Sequence, residues 1–530
     1  MSDITNSLML KDFYLARGTY KPSALVRCIL ECEAEHSCNV TFTLTFFHGP
    51  TPGKSRKETR SLDAGLNLVD FSFLTSMDAP AGYGISLACD EKFATPSKLE
   101  TAFDVLPGWT AFPRYGYLTD FSASRGDEKS TMQNLAKFHI NGLQFYDWQY
   151  RHDQLVAPTI DYLDPLGRPL SLTTIKRLIK AAHHHGMAAM PYLAVYAASA
   201  DFWRAHPDWM LYDAEHKPIP FGEDFLGIMN PESGGSWQKH LLEEGNRVLE
   251  SLPFDGLHID QYGEPKSGFD AAGQPVDIAR AFGDFIQAAA DGHPGLPILF
   301  NAVGNWPIET LAAAPVAFNY IEIWPPDIHY TDLARIVRNA RKLSAEKPVV
   351  IALYMSAALE INHLLADAVI LSAGGSRIEI GENARLLTDP YFPKHEAIPD
   401  SLMTRLRTCA DFAVRYEEWV GPLVPESAAP MFTLPEGVEV FYRKVKAGVS
   451  LSLVNLKRSD PLCWNETHDS PEVVKTFTLE IPLDFAPQRV WLLEPYVSTE
   501  PTLLAHHLSG DKVSVTVPDL DLWDVLLFEK

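Results

Sequence analysis

The sequence predicts a multidomain α/β chain with a central TIM (β/α)8 barrel over residues 109–422. An N-terminal immunoglobulin-like β-sandwich is expected over 1–108, and a C-terminal all-β domain, an antiparallel β-sandwich, over 423–530. Three observations lead there. At 530 residues the chain is well past the roughly 250 to 300 residues at which a single core stops growing. From about residue 110 to 420, strand-like apolar runs alternate with amphipathic helical segments, the texture of a parallel β/α fold. On both flanks the helical periodicity is missing, and short alternating runs are separated by Gly and Pro.

Among the N-terminal strands, Val40-Thr-Phe-Thr-Leu-Thr-Phe46 alternates apolar and polar residues, and Leu66 to Leu74 nearly does. The barrel region offers eight strands: Arg114 to Leu118, Gly142 to Tyr146, Ala188 to Tyr192, Gly256 to Asp260, Ile298 to Ala302, Phe318 to Ile323, Val349 to Tyr354 and Ser376 to Ile380. Helical segments fall between most of them: Leu172 to His185, Ser236 to Ser251, Asp277 to Ala290, Thr331 to Ser344 and Ala358 to Leu371. A last helix, Ser401 to Trp419, sets Leu402, Leu406, Cys409, Ala413 and Tyr416 on one face, as packing on a barrel requires. Beyond Pro422, the runs at Val438–Val445, Val449–Leu456, Thr476–Ile481, Val490–Leu493, Val513–Val517 and Trp523–Phe528 read as strands.

Composition narrows the function. With 46% hydrophobic and 21% charged residues the chain is globular, and its formal net charge of -23, with no basic run, makes nucleic acid and anionic membranes poor partners. The first residues carry no basic segment followed by an apolar run, and no stretch is long enough to span a bilayer, so a cytoplasmic location is expected. Six scattered cysteines form no C-x-x-C pair, so neither a disulfide framework nor zinc is indicated, and no cofactor is expected. His183-His-His-Gly186 reads as a helix end with a Gly cap and not as a metal tract. Asp255, at the start of a strand, belongs to the face that carries stability.

In a barrel of parallel strands the C-terminal strand ends share one reaction mouth. There the sequence places Asp147, Trp148 and Gln149 after the second strand, Tyr192 after the third, and Asp260 with Gln261 after the fourth. Asn305 follows the fifth, Glu322 and Trp324 the sixth, Tyr354 the seventh and Glu379 the eighth, with Arg377 on the same face as Glu379. Cleavage of a sugar acetal needs two carboxyl groups flanking the bond, one ionised and one kept protonated. Asp260 and Glu322 are such a pair, and Glu322, between Ile321 and Ile323 and beside Trp324, has the apolar surroundings that favour its neutral form. Trp203, Trp209 and Trp237 are each better read as core than as sugar platforms.

Four segments carry a resemblance. His139-Ile-Asn-Gly-Leu-Gln-Phe-Tyr-Asp-Trp-Gln-Tyr150, Phe254-Asp-Gly-Leu-His-Ile-Asp-Gln261, Tyr320-Ile-Glu-Ile-Trp324 and Gly374-Gly-Ser-Arg-Ile-Glu-Ile-Gly-Glu-Asn383 resemble glycoside hydrolase family 66. That family holds dextranases and cycloisomaltooligosaccharide glucanotransferases. The resemblance implies Asp260 as nucleophile, Glu322 as general acid/base and Asp147 as a carboxylate of the substrate site. It implies a retaining, endo-acting hydrolase of α-1,6-glucosidic bonds in dextran or isomaltooligosaccharides. The alternatives are a cyclising or disproportionating transglycosylase and an inactive glucan-binding protein. The cyclising members resembled carry a carbohydrate-binding module inserted in the barrel region. Here one helix alone links the seventh and eighth strands, and that favours hydrolysis.

Overall fold

The computed structural model describes residues 7–75, 79–90, 94–223, 225–378, 380–458, 462–510 and 512–530. Its centre is a curled sheet of parallel strands: β1 (Tyr115–Leu118), β2 (Gly142–Phe145), β3 (Ala188–Ala194), β4 (Leu257–Asp260), β5 (Ile298–Val303), β6 (Asn319–Glu322), β7 (Val349–Ala352) and β8 (Gly375–Ile378). Each pairs in parallel with the next in the chain. Just past β8, Gly381 pairs with Tyr117 of β1, so the sheet returns to the strand it started from. The approach is close: a Cβ at Gly381 would stand 2.4 Å from the Tyr117 ring. Buried Glu382 then accepts N–H bonds from Thr119 and Asp120 at 2.8 and 2.9 Å and pairs with Arg125, locking this seam.

A helix follows every strand. Five were legible from periodicity, together with the closing helix Asp400–Arg415. Two were not: Glu128–Lys137, polar over most of its length, and the six-residue Ile308–Ala313. The strands are buried on both sides because alternate residues point into the curl and out to the helices. The inward set, including Tyr115, Tyr117, Met190, Leu299, Phe318, Tyr320, Val350 and Ile378, forms its own apolar core. The outward set joins the helices in the largest core of the protein.

Two excursions rise above the C-terminal strand ends. After β2 comes a hairpin, Asp161–Leu163 with Pro169–Ser171, and after β3 a small sheet of Ala197–Ser199, Leu226–Ile228 and Pro220–Phe221. Among the described residues no helix is long and apolar enough to cross a membrane.

Before β1, two four-stranded β-sheets enclose an apolar core that includes Val40, Phe42 and Leu44. The alternation at Leu66 to Leu74 does form a strand, but Leu66 and Leu68 are each 65% exposed, while Val69 and Phe71 face inward. The C-terminal segment builds a five-stranded and a three-stranded sheet, with two strands beyond those expected, Ser498–Leu504 and His506–Ser509. Both flanking units are tied to the central one. Asp411 accepts from Thr101 and Ala102 at 3.0 Å and pairs with His139 at 2.8 Å, and Arg338 bridges to Glu426 and Glu439.

Candidate active site

Three neighbouring strands build the centre of the site. In β4 (LHID), His258 and Asp260 share the inward face, in β5 (ILFNAV) Leu299 and Asn301 do, and in β6 (NYIE) Tyr320 and Glu322 do. Asp260 and Glu322 therefore project into the mouth on either side of β5. Between them the carboxamide of Asn301 spans the gap: its Nδ2 donates to Asp260 Oδ1 at 2.8 Å and to Glu322 Oε2 at 2.7 Å. With both acceptors on one nitrogen, the two oxygens are at most about 5.5 Å apart.

Glu322 is 7% exposed, while Asp260 is partly open to the mouth. Trp324 Nε1 donates to Glu322 Oε1 at 2.6 Å, and Tyr354 also hydrogen-bonds this carboxyl. Tyr192 hydrogen-bonds Asp260. Burial raises the pKa of both carboxyls above the ordinary range, and the nearby Glu322 charge raises that of Asp260 further. The donated hydrogen bonds oppose these shifts without cancelling them. Below the pair His258 is fully buried, its Nδ1 at 3.0 Å from the Tyr115 hydroxyl, and burial pulls its pKa down to about 3. A neutral imidazole brings no positive charge to the pair.

Aromatic side chains wall the mouth. Tyr146 stacks on Phe392 with ring centroids 4.1 Å apart and meets Tyr192 at 5.1 Å, and Trp324, 38% exposed, meets Tyr354 at 5.8 Å. Tyr262 stacks on Phe221 at 4.3 Å, which brings the excursion after β3 to the edge of the mouth. Asp147 sits after β2 with a left-handed φ of 52°. Burial raises its carboxyl to about 7, against the pull of Arg168, whose Nη2 lies 3.5 Å from Asp147 Oδ2 and 2.6 Å from Asp164 Oδ2.

The residues singled out from sequence separate into two groups. Asp260, Glu322, Tyr192, Trp324 and Tyr354 gather around one another, and Asp147 stands next to them with Gln149 hydrogen-bonded to it. Others have different surroundings. Trp148 is fully buried, donates to the Tyr192 carbonyl at 3.1 Å and packs on Phe254, and so braces the wall of the site. Gln261, 1% exposed, accepts from the Gly263 N–H at 2.6 Å and supports the turn after β4. Asn305 holds a left-handed turn with φ 57°, and among the described contacts it reaches neither carboxyl. Glu379 lies outside the described residues, while Arg377 pairs with Asp367 of the helix behind β8 at 2.8 Å. Trp237 is core, as expected, and His183, in the last turn of its helix, pairs with Asp255 at 2.8 Å.

Asn301 was missed, as were Phe392, Tyr262 and Arg168. The signal for Asn301 was available: it is the one polar residue in Ile298–Val303, and an amide in so apolar a strand must find partners. Phe392 and Arg168 lie in loops, where no periodicity announces a direction.

Comparison with known proteins agrees with this architecture. The model of glycosyl hydrolase family 66 matches residues 17–527. A cycloisomaltooligosaccharide glucanotransferase of Niallia circulans is 28% identical over 372 residues, 65% of this chain and 38% of that enzyme. A second of the same name and organism is 30% identical over 282 residues, 48% of this chain and 29% of its own length. The chain thus spans well under two thirds of the curated relatives it matches. Among solved structures, the cycloisomaltooligosaccharide glucanotransferase of Paenibacillus sp. complexed with cycloisomaltoheptaose has the same fold. It superposes with a TM-score of 0.90 at 19% identity, over 98% of this chain and 100% of that one. A maltogenic α-amylase of Thermotoga neapolitana matches at a TM-score of 0.52 and 12% identity, over 78% of this chain and 98% of its own.

Proposed function

The chain belongs to glycosyl hydrolase family 66, and from that premise we propose that it cleaves α-1,6-glucosidic bonds of dextran or isomaltooligosaccharides with retention of configuration. One observation carries this reading: the shared Asn301 amide keeps the Asp260 and Glu322 oxygens within about 5.5 Å of each other. That separation suits direct attack by one carboxylate, whereas inversion needs room for a water between substrate and base. Asp260, the more exposed of the two, carries the negative charge and attacks the anomeric carbon. Glu322, the more enclosed of the two, gives its proton to the departing glycosidic oxygen; burial raises both carboxyls, Asp260 to about 7. An acceptor hydroxyl then attacks the glycosyl ester while Glu322 takes the proton back, which frees Asp260.

The acceptor decides the product. Hydrolysis, the expectation from sequence, is favoured by the short link between β7 and β8, a single helix, Glu360–Ala373. Both curated relatives are glucanotransferases, which favours the other outcome, transfer to a sugar. We take transfer, disproportionating or cyclising, as the first reading and hydrolysis as the second. Incubation with dextran followed by mass spectrometry separates them. Transfer yields cyclic products one water lighter than the linear series, or linear chains longer than an isomaltooligosaccharide supplied as substrate. A series of shorter linear chains alone would return the assignment to hydrolysis, and no product from any α-glucan would overturn both.

The finer architecture belongs to the same proposal. The curled sheet and its helices are read as a closed (β/α)8 barrel, with boundaries near residues 108 and 422, and the N-terminal pair of sheets as immunoglobulin-like.

A further inference from the structure

The charge of the carboxyl pair does not stay in one place through the proposed reaction. Before the first displacement it is on Asp260 and the proton is on Glu322. As the Asp260–C1 bond forms and the bond from C1 to the leaving oxygen breaks, the proton moves to that oxygen. Asp260 becomes a neutral ester and Glu322 carries the charge. The second displacement reverses this.

Only a donor in contact with both carboxyls can serve the charge at both positions. Among the described contacts Asn301 alone is hydrogen-bonded to both, through Nδ2 at 2.8 and 2.7 Å. Its other donors differ: Tyr192 serves Asp260 only, and Trp324 and Tyr354 serve Glu322 only. The amide is 4% exposed and anchored on β5, so it is already oriented when the charge moves. Its orientation is forced, because a flipped amide would set its carbonyl oxygen against both carboxyls. Oδ1, on the other side, is buried without a protein donor.

Resting on the assignment of the pair above, we propose that Asn301 is a positioning residue that stabilises the single negative charge in both halves of the reaction, at Asp260 first and at Glu322 after. It touches neither bond that breaks and acts through the two carboxyls.

The titratable groups around the amide are few. Beyond the pair there are Tyr146 after β2, Tyr192 of β3 with Tyr196 after it, His258 of β4 with Tyr262 after it, Tyr320 of β6 and Tyr354 after β7. Burial holds these tyrosines well above their ordinary range, and His258 is neutral. Asp147, the next carboxyl along the mouth, has no bond to the amide, so its titration is common to wild type and variants.

The test is the pH profile of kcat/KM for Asn301→Ala, with the isosteric Asn301→Asp as a second variant in case the first folds poorly. The acid limb reports ionisation of Asp260 and the alkaline limb loss of the Glu322 proton. A hydrogen bond to a carboxylate lowers its pKa, so removing one shared by both moves both limbs upward, by about one pH unit. kcat should fall by about tenfold to a hundredfold on a glucan. It should fall as well on an activated aryl glucoside, where the second displacement limits the rate. Limbs that stay in place while activity falls would reduce Asn301 to a packing role and overturn the proposal, as would a loss confined to the glucan. Asp260→Asn and Glu322→Gln are measured beside it. Full turnover in either would show that the pair itself is misassigned, and the role given to Asn301 falls with it. Loss in both with an unmoved Asn301→Ala profile condemns the Asn301 role alone.

Discussion

Trp324 Nε1 donates to Glu322 Oε1 at 2.6 Å, two residues along the same strand end, while the indole stays 38% exposed to the mouth. One side chain thus offers a flat face to a sugar and a hydrogen bond to the proposed acid. Trp324→Phe keeps most of the face and removes the donor. Since that bond lowers the Glu322 pKa, its loss should move the alkaline limb of the pH–rate profile upward by about half to one unit. An alkaline limb that does not move would show that the bond matters only for packing.

Asp260→Asn should lower turnover by at least about a thousandfold while leaving thermal stability nearly unchanged, because a near-isosteric amide replaces a partly exposed carboxyl. Glu322→Gln should cost about a hundredfold or more on dextran and much less on an aryl glucoside whose leaving group needs no proton. Equal losses on the two substrates would remove Glu322 from the role of acid.

Arg168 holds Asp147 toward its ionised form, in opposition to burial, which has raised that carboxyl to about 7. In Arg168→Met the opposing charge is gone, so Asp147 should be neutral at pH 7 and ionise only at higher pH. If its carboxylate receives a sugar hydroxyl, KM for isomaltooligosaccharides rises at pH 7 and recovers toward alkaline pH, with kcat little changed. A KM that does not vary with pH in this variant would exclude Asp147 from substrate binding.

Far from the mouth, Glu417 is 4% exposed with both carboxyl oxygens unpartnered. Burial and the neighbouring Asp104 charge raise its pKa well above the ordinary value, although Arg114 pulls the other way. A folded pKa above the unfolded one contributes stability only at low pH. As pH climbs from the unfolded value toward the folded one, the unfolded state ionises first, and stability is lost at about 1.4 kcal/mol per unit. Glu417→Gln removes that loss, so its melting temperature should exceed that of the wild type by more at pH 8 than at pH 5. Equal differences at the two pH values would place the carboxyl in a solvated setting.

What could be read from sequence followed from periodicity. The eight parallel strands are written as short apolar runs because both their faces are buried, and the amphipathic helices and the flanking strands as local patterns of 3.6 and two residues because burial of one face selects them. Asp260 and Glu322 were legible for the same reason, since each ends an apolar run and the parallel arrangement sends every such end to one mouth. Leu66 and Leu68 mark where the rule stops, because alternation identifies a strand but not which of its faces is covered.

Only the tertiary structure decided how the site is wired. Trp148 and Asp147 are adjacent in sequence, yet one is enclosed by Phe254 and the other faces the mouth, which depends on a left-handed turn at Asp147. Asn301 became part of the site because strands four, five and six lie side by side, which sets one amide nitrogen within hydrogen-bond reach of carboxyls 41 and 21 residues away. The sequence by itself determined which residues carry charge and which strands bear them. Which of those charges share a donor depends on distances of a few ångströms between residues remote in the chain, and folding alone sets those.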